Sequence, residues 1–299
     1  MIQAKLGLSG KYKLEVVKAS GEVRQTLEFD NLITNQGLDL FSGSVVGYTG
    51  NLLYSVCHYK CYVGSGSTAP AVTDTALDAE IANQLRTAAA GTVDVGLRTY
   101  TIAHEYTFAT GAAAGNLSEV GVGADSTQLF SRSLIKDGNG APTTITILVD
   151  EVLRVTYSLV INVPTATYLF SSGGYDFELK ACNADTGPYI YGLNDDLPSR
   201  ITYPRAYTGA IGVTIDDAPS GGNGSITSTV DTYTLGSYTR TGTLSAGLTE
   251  ANFDVGSFRF GFGPLTWQLG ALPVLPKDDT QILEIGVQVT WAREGELPP

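Results

Sequence analysis

The chain has little of what enzymes and nucleic-acid binders most often use. Among 299 residues there are 2 His, 3 Cys, 2 Trp and 1 Met, and only 16% of the chain is charged. Two imidazoles leave almost no room for a His-rich metal centre or a Ser-His-Asp triad. The cysteines, Cys57, Cys61 and Cys182, are sparse and odd in number. That argues against a disulfide framework and for folding in a reducing cytoplasm. Lys and Arg total 18 against 30 Asp and Glu, a formal net charge of -12, with no basic run. Nucleic-acid binding needs clustered cations to release counterions, so it is not expected. No apolar run reaches roughly 18 residues, so no membrane-spanning helix is expected. The opening MIQAKLGLSGKYKLEVV has no apolar stretch of the secretory kind.

Glycine and tyrosine are plentiful, at 35 and 16 residues, and 43% of the chain is hydrophobic. Such a chain can build a core from short strands and tight turns. Period-two alternation dominates. Tyr12, Leu14 and Val16 share one face. So do Tyr100, Ile102, His104, Tyr106 and Phe108; Leu153, Val155, Tyr157, Leu159 and Ile161; and Leu283, Ile285, Val287, Val289 and Trp291. Each set reads as a half-buried strand. Asp137-Gly138-Asn139-Gly140 predicts a hairpin between SRSLIK and TTITILV. Ser20-Gly21, Ser171-Ser172-Gly173-Gly174 and Ser220-Gly221-Gly222-Asn223-Gly224 also read as turns. Helical signals are few. One or two turns are predicted over Asn35 to Phe41, and a helix over Thr73 to Gln84, where Leu77 and Ile81 are four apart behind a Thr or Asp cap.

The fold class predicted is all-β, with antiparallel β-sandwich or jelly-roll-like modules, two in tandem. The modules are placed at 1–164 and 165–299, divided near Val163-Pro164-Thr165. A loose internal repeat supports this. The stretch from Asn116 to Ile161 and that from Asn252 to Arg293 each open on Asn and a Gly-flanked strand. Each passes a bulky pair (Leu129-Phe130; Leu265 with Trp267) and a Pro-bearing turn, then closes on a long alternating strand. Repetition of this kind builds scaffolds and binding surfaces more often than active sites.

Candidate chemistry is thin. Cys57-His58-Tyr59-Lys60-Cys61 resembles a metal motif, but on a strand its thiols would stand about 13 Å apart, too far for one ion or one disulfide. Gly64-Ser65-Gly66-Ser67-Thr68-Ala69 formally fits a dinucleotide fingerprint, yet Pro70 follows at once and no βαβ unit surrounds it, so a loop is expected. His104 sits among aromatic residues and reads as a core histidine. Asp195-Asp196, Asp216-Asp217 and Asp278-Asp279 read as turn carboxylates before they read as calcium ligands or glycosidase acids. No catalytic residue, cofactor or metal is expected. Tyr189, Tyr191, Tyr203 and Tyr207, with Trp267, form the candidate recognition surface, since aromatic rings stack on sugar faces. The same residues also suit subunit packing.

Four blocks of the N-terminal half carry a resemblance: FDNLITNQGLDLF from Phe29, CYVGSGSTAPAVTDTALDAEI from Cys61, NLSEVGVG from Asn116, and LFSRSLIKDGNGAPTTITILVDEVLRVTYSLVI from Leu129. A fifth is WQLGALPVLPKDDTQILEIGVQVTWAR, from Trp267 to Arg293. Their order resembles virion structural proteins of tailed bacteriophages, of the tail-fibre and tail- or collar-associated kind. The segment from Tyr168 to Ala251 carries no part of that resemblance. The chain also lacks the collagen-like, heptad or β-helix repeats of a long fibre. The resemblance implies a structural, non-enzymatic virion component, a tail-fibre or collar/adaptor protein that homo-oligomerises and joins other tail, collar or fibre proteins. Assembly would take place in the host bacterial cytoplasm. The alternative it implies is a receptor- or glycan-binding module for host attachment.

Overall fold

The computed structural model describes residues 2–43, 56–94, 99–162, 164, 166–182, 200–262 and 265–296. Among them are twenty-one strands and one α-helix, and the strand pairings whose register is described are antiparallel. The chain is all-β. It divides into two compact units. One, here the N-terminal unit, comprises Gly7–Ile161 with Arg293–Glu296. The other, the C-terminal unit, comprises Asn162–Ala292 with both chain ends, Met1–Leu6 and Leu297–Pro299.

The first part of the chain gives β1 (Ile2–Val17), β2 (Val23–Asp30), β3 (Leu32–Ile33), α1 (Asn35–Phe41) and a 3-10 turn at Val56–His58. There follow β4 (Lys60–Gly64), β5 (Glu80–Leu85), β6 (Ala88–Asp94), β7 (Thr99–Thr107), β8 (Gly115–Leu117), β9 (Glu119–Asp125), β10 (Gln128–Leu134), β11 (Ile145–Ile147) and β12 (Val152–Asn162). One sheet of the N-terminal unit runs β1-β12-β7-β6, with β2 also paired to β1. A second runs β3-β10-β9-β4-β5, and β11 pairs with β8. Alternation decides which residues go inside. Tyr12, Leu14 and Val16 of β1, all five apolar-face residues of β7 and its continuation, and all five of β12 are buried. The two sheets meet through these side chains. Tyr12 Oη lies 2.7 Å from Ser131 Oγ, Tyr106 Oη donates to the His58 carbonyl at 2.7 Å, and Phe130 meets Tyr157 edge-on at 6.2 Å.

The C-terminal unit contains β13 (Tyr168–Ser172), β14 (Tyr175–Ala181), β15 (Ile201–Tyr207), β16 (Asn223–Ser225), β17 (Thr227–Val230), β18 (Thr239–Ala246), β19 (Val255–Phe262), β20 (Leu265–Leu275) and most of β21 (Leu283–Arg293). Six of them form the sheet β13-β14-β20-β19-β15-β16. β17, β18 and β21 run side by side in that order, with Trp291 and Val289 inward on β21. The β13–β14 hairpin turns through Gly173 (φ 62°) and Gly174 (φ 84°). Two successive left-handed residues make the turn whose twist suits a two-residue hairpin, and glycine adopts them without a Cβ clash.

α1 forms where it was predicted, because Thr34 caps it: its Oγ1 accepts from Gly37 N at 2.8 Å. The helix predicted over Thr73 to Gln84 does not form. Glu80–Leu85 instead pairs along β4 as β5, and Thr73 to Ala79 is irregular. Asp74, a would-be capping residue, and Asp78 are drawn to Arg132. The Asp137–Gly140 turn forms, with Gly140 N donating to Asp137 O and Lys136 bridging Pro142. The hairpin goes no further, because β11 pairs with β8 and β10 with β9 and β3. Cys57 lies in the 3-10 turn rather than on the strand that holds Cys61, and both cysteines are buried. The two repeat segments each contain an antiparallel strand pair (β9–β10; β19–β20) followed by a long strand (β12; β21), with β8 and β11 added in the first.

Candidate functional site

An ion pair with both partners buried lies in the N-terminal unit. Glu119, at the start of β9, is 0% exposed, and Arg132, on β10, is 1% exposed. The antiparallel register sets Arg132 opposite Gly121. Arg132 donates to Glu119 Oε2 from Nε (3.1 Å) and Nη2 (2.9 Å), and to Asp74 Oδ2 from Nη1 (2.6 Å). It also reaches Asp78 Oδ2 at 2.8 Å and the Thr68 carbonyl at 3.2 Å. Glu119 in turn accepts from the backbone N–H groups of Gly66 (2.9 Å), Ala79 (2.8 Å) and Asp78 (3.1 Å). One guanidinium and one carboxylate thus hold both ends of the Ser65–Ala79 loop, which has no regular structure of its own. Burial alone would raise the Asp78 carboxyl, but the bonds from Thr68 and the Arg132 charge hold it below the usual range. Every carboxylate here faces a donor, so the cluster is a clamp and not a reactive site. The Gly-rich run is the clamped loop and holds no phosphate-binding helix end.

Four of the five sequence blocks that carry the resemblance lie in this unit, and the fifth contributes its last residue, Arg293. The first supplies Thr34, whose Oγ1 donates to the Leu129 carbonyl of the fourth at 2.6 Å. Asn35 N of the first donates to Val72 O of the second at 2.7 Å. The second pairs as β4 with the third as β9, and the third with the fourth as β10. From the fifth, Arg293 donates to Ile33 O from Nε and to Asn35 Oδ1 from Nη2, each at 2.6 Å. The first four blocks are therefore parts of one packed unit, which the fifth joins only through Arg293.

His104 and His58 lie together in the core of the same unit, ring centroids 4.7 Å apart. Arg86 Nη1 is 3.2 Å from His104 Nδ1, and Phe130 and Tyr157 close the other sides of His58. Burial first, and the Arg86 charge second, push His104 down to about 3; burial and the neighbouring His104 and Arg86 lower His58 as well. Both rings are neutral core residues near neutral pH. Nothing in the sequence linked them, since they are 46 positions apart.

The predicted recognition surface does not come together as a surface. Tyr189 and Tyr191 lie outside the described residues. Trp267 is fully buried, its Nε1 donating to the Phe262 carbonyl at 3.2 Å, and Tyr207 is also buried. Neither ring has a face to offer a sugar, because the alternation of β20 and β15 turns them into the core. Tyr203 is 62% exposed and sits at the β15 bulge with φ 47°. Asp195 and Asp196 lie outside the described residues. Asp217 accepts from Thr214 N and Oγ1, and Asp278 from Thr280 N and Oγ1, so these carboxylates close turns.

A cleft does form on the C-terminal unit, from residues that sequence reasoning passed over. Along β20, Trp267, Leu269 and Ala271 turn inward, while Gln268, Gly270 and Leu272 face the other way. The Gly209–Asp217 segment lies over that outer face and is clamped to it. Ser257 Oγ donates to Gly209 O (2.6 Å), Gln268 Oε1 accepts from Gly212 N (2.8 Å), Gln268 Nε2 donates to Thr214 O (3.2 Å) and Lys180 Nζ to Val213 O (3.2 Å). Beside the clamped segment is a cleft of about 310 Å³. Gly256 and Gly270 let the covering segment approach closely, with Gly209 over Gly256 and Ile211 over Gly270; Leu169, Ile211 and Leu272 wall the cleft, and Asp176 and Glu178 stand at its rim. Leu169 and Leu272 are 77% and 72% exposed. The only advance signal was the Gly-interrupted alternation of β20, which marks where a backbone or ligand comes close.

Comparison of the chain with protein-family models, with curated proteins and with solved structures found no match.

Proposed function

We propose that the protein is a structural component of a tailed-bacteriophage virion, a tail-fibre or collar/adaptor protein that oligomerises and attaches to the particle. The observation that supports this reading is the packing of the first four resembling blocks in one unit, through Thr34, Glu119 and Arg132, with Arg293 of the fifth bonded to the first. The exposed Leu169 and Leu272 beside an edge strand add a surface suited to contact with other chains. The role is structural: the buried charged groups named above serve to hold loops in place.

Antibodies against the protein, applied to purified particles of its phage and detected by immunogold electron microscopy, test this. Label at the neck, tail or baseplate is expected. Protein confined to the lysate, with no label on particles, would overturn the proposal.

A further inference from the structure

We infer that the cleft between β13, β14, β20 and the Gly209–Asp217 segment receives the side chain of a Lys or Arg from a protein partner whose strand lies along β13. Three observations converge. The cleft, at about 310 Å³, is at the small end of ligand sites and takes one long side chain rather than a folded ligand. Its walls are aliphatic and its rim anionic. Leu169, Ile211 and Leu272 suit a methylene stem, while Asp176 and Glu178, two apart on one face of β14 and so about 6.6 Å apart along the strand, suit a cation between them. The fixed charge near the rim is also accounted for. Lys180 bonds Val213 O and stands 3.4 Å from Glu178, and it also neighbours Asp217, while Asp176 Oδ1 accepts from Ser171 Oγ at 2.5 Å, so the three carboxylates outnumber the one fixed cation and the rim stays net negative.

The same features select against other occupants. A second copy of this chain carries a formal charge of -12 and is repelled by an anionic rim. A neutral sugar would need ring-stacking aromatics, and Phe177 turns its ring to the core, where it stacks on Phe170 at 5.3 Å. β13 is the terminal strand of its sheet among the described residues, so its outer backbone groups can add a partner strand in antiparallel or parallel register. The wall is preformed: Ser257, Gln268 and Lys180 hold the covering segment before any ligand arrives. This inference does not depend on the virion reading and would hold for the protein in any setting.

The test uses the full chain and a fluorescent, end-blocked peptide of sequence Val-Thr-Lys-Thr-Val, with analogues carrying norleucine or Glu in place of Lys. Binding is read by fluorescence anisotropy and by methyl NMR at Leu169 and Leu272. Binding of the Lys peptide is expected, at least ten-fold tighter than either analogue, with methyl shifts confined to the cleft. The double variant Asp176→Asn/Glu178→Gln should lose ten-fold or more, and its unchanged NMR spectrum away from the cleft would show that it folds. Equal binding of the norleucine peptide, binding that survives the double variant, or binding of free spermidine without binding of the Lys peptide would each overturn the inference. Because neither readout involves phage particles, these outcomes are separate from the fate of the virion proposal.

Discussion

Replacing Arg132 by Met removes the only cation in contact with the buried Glu119 carboxylate among the described residues, and leaves Asp74 and Asp78 without their shared partner. Methionine fills much of the same space, so the loss is electrostatic more than steric. Breaking a buried pair by removing one partner costs about 3–5 kcal/mol, because a charge stays buried without compensation. Three backbone N–H bonds to Glu119 remain, so the lower half of that range is expected. For a unit of this size each kcal/mol shifts Tm by roughly 2–4 °C, so Arg132→Met should lower the N-terminal unit's transition by about 6–16 °C. Calorimetry reads the shift. Hydrogen exchange should show faster exchange at Gly66, Asp78 and Ala79, whose amides lean on Glu119. Adding Glu119→Gln to Arg132→Met should recover a large part of the loss, since a neutral amide can stay buried with its backbone donors. A destabilisation below about 1 kcal/mol for Arg132→Met, or no recovery in the double variant, would refute the view that this ion cluster clamps the loop.

The buried imidazoles predict acid sensitivity. His104 is held near 3 against an ordinary 6.5, so the folded state prefers the neutral ring; its stabilising contribution is complete above about pH 6.5 and drains as pH falls toward 3. At pH 4 the loss from this group is on the order of 3 kcal/mol, and His104→Phe should remove that part of the pH dependence. Urea midpoints at pH 7 and pH 4 check it, and an equal fall in wild type and His104→Phe would contradict the assignment. In the C-terminal unit, Trp267→Ala should cost about 3–5 kcal/mol, as for a filled core site, whereas Tyr203→Ala should stay within about 0.5 kcal/mol, as for a surface site. Thermal melts of the two variants decide which tyrosines and tryptophans can be tested for recognition without unfolding the unit.

What the sequence determined by itself was the local physics. Period-two faces on β1, β7, β12 and β21 are legible because each buried residue is recognised two positions from the next, and a single sheet face decides them all. The turns at Ser20-Gly21 and Gly173-Gly174, and α1 over Asn35–Phe41, follow from residues within a few positions of one another. The tertiary structure decided which strands became neighbours and which polar groups became partners. Leu77 and Ile81 fit a helix as well as an even-numbered strand spacing, and pairing with β4, together with the pull of Arg132 on Asp74 and Asp78, settled the matter for strand and loop. TTITILV follows a well-formed turn yet pairs with β8 and not with β10, because a turn sets only the first rungs of a ladder. Trp267 looked like a recognition residue until its strand face placed it in the core, and the cleft arose from glycines and leucines with no chemical signature of their own. Contacts such as Thr34 with Leu129, His58 with His104 and Arg293 with Ile33 join residues far apart in sequence, and their partners are chosen only when the sheets close on one another.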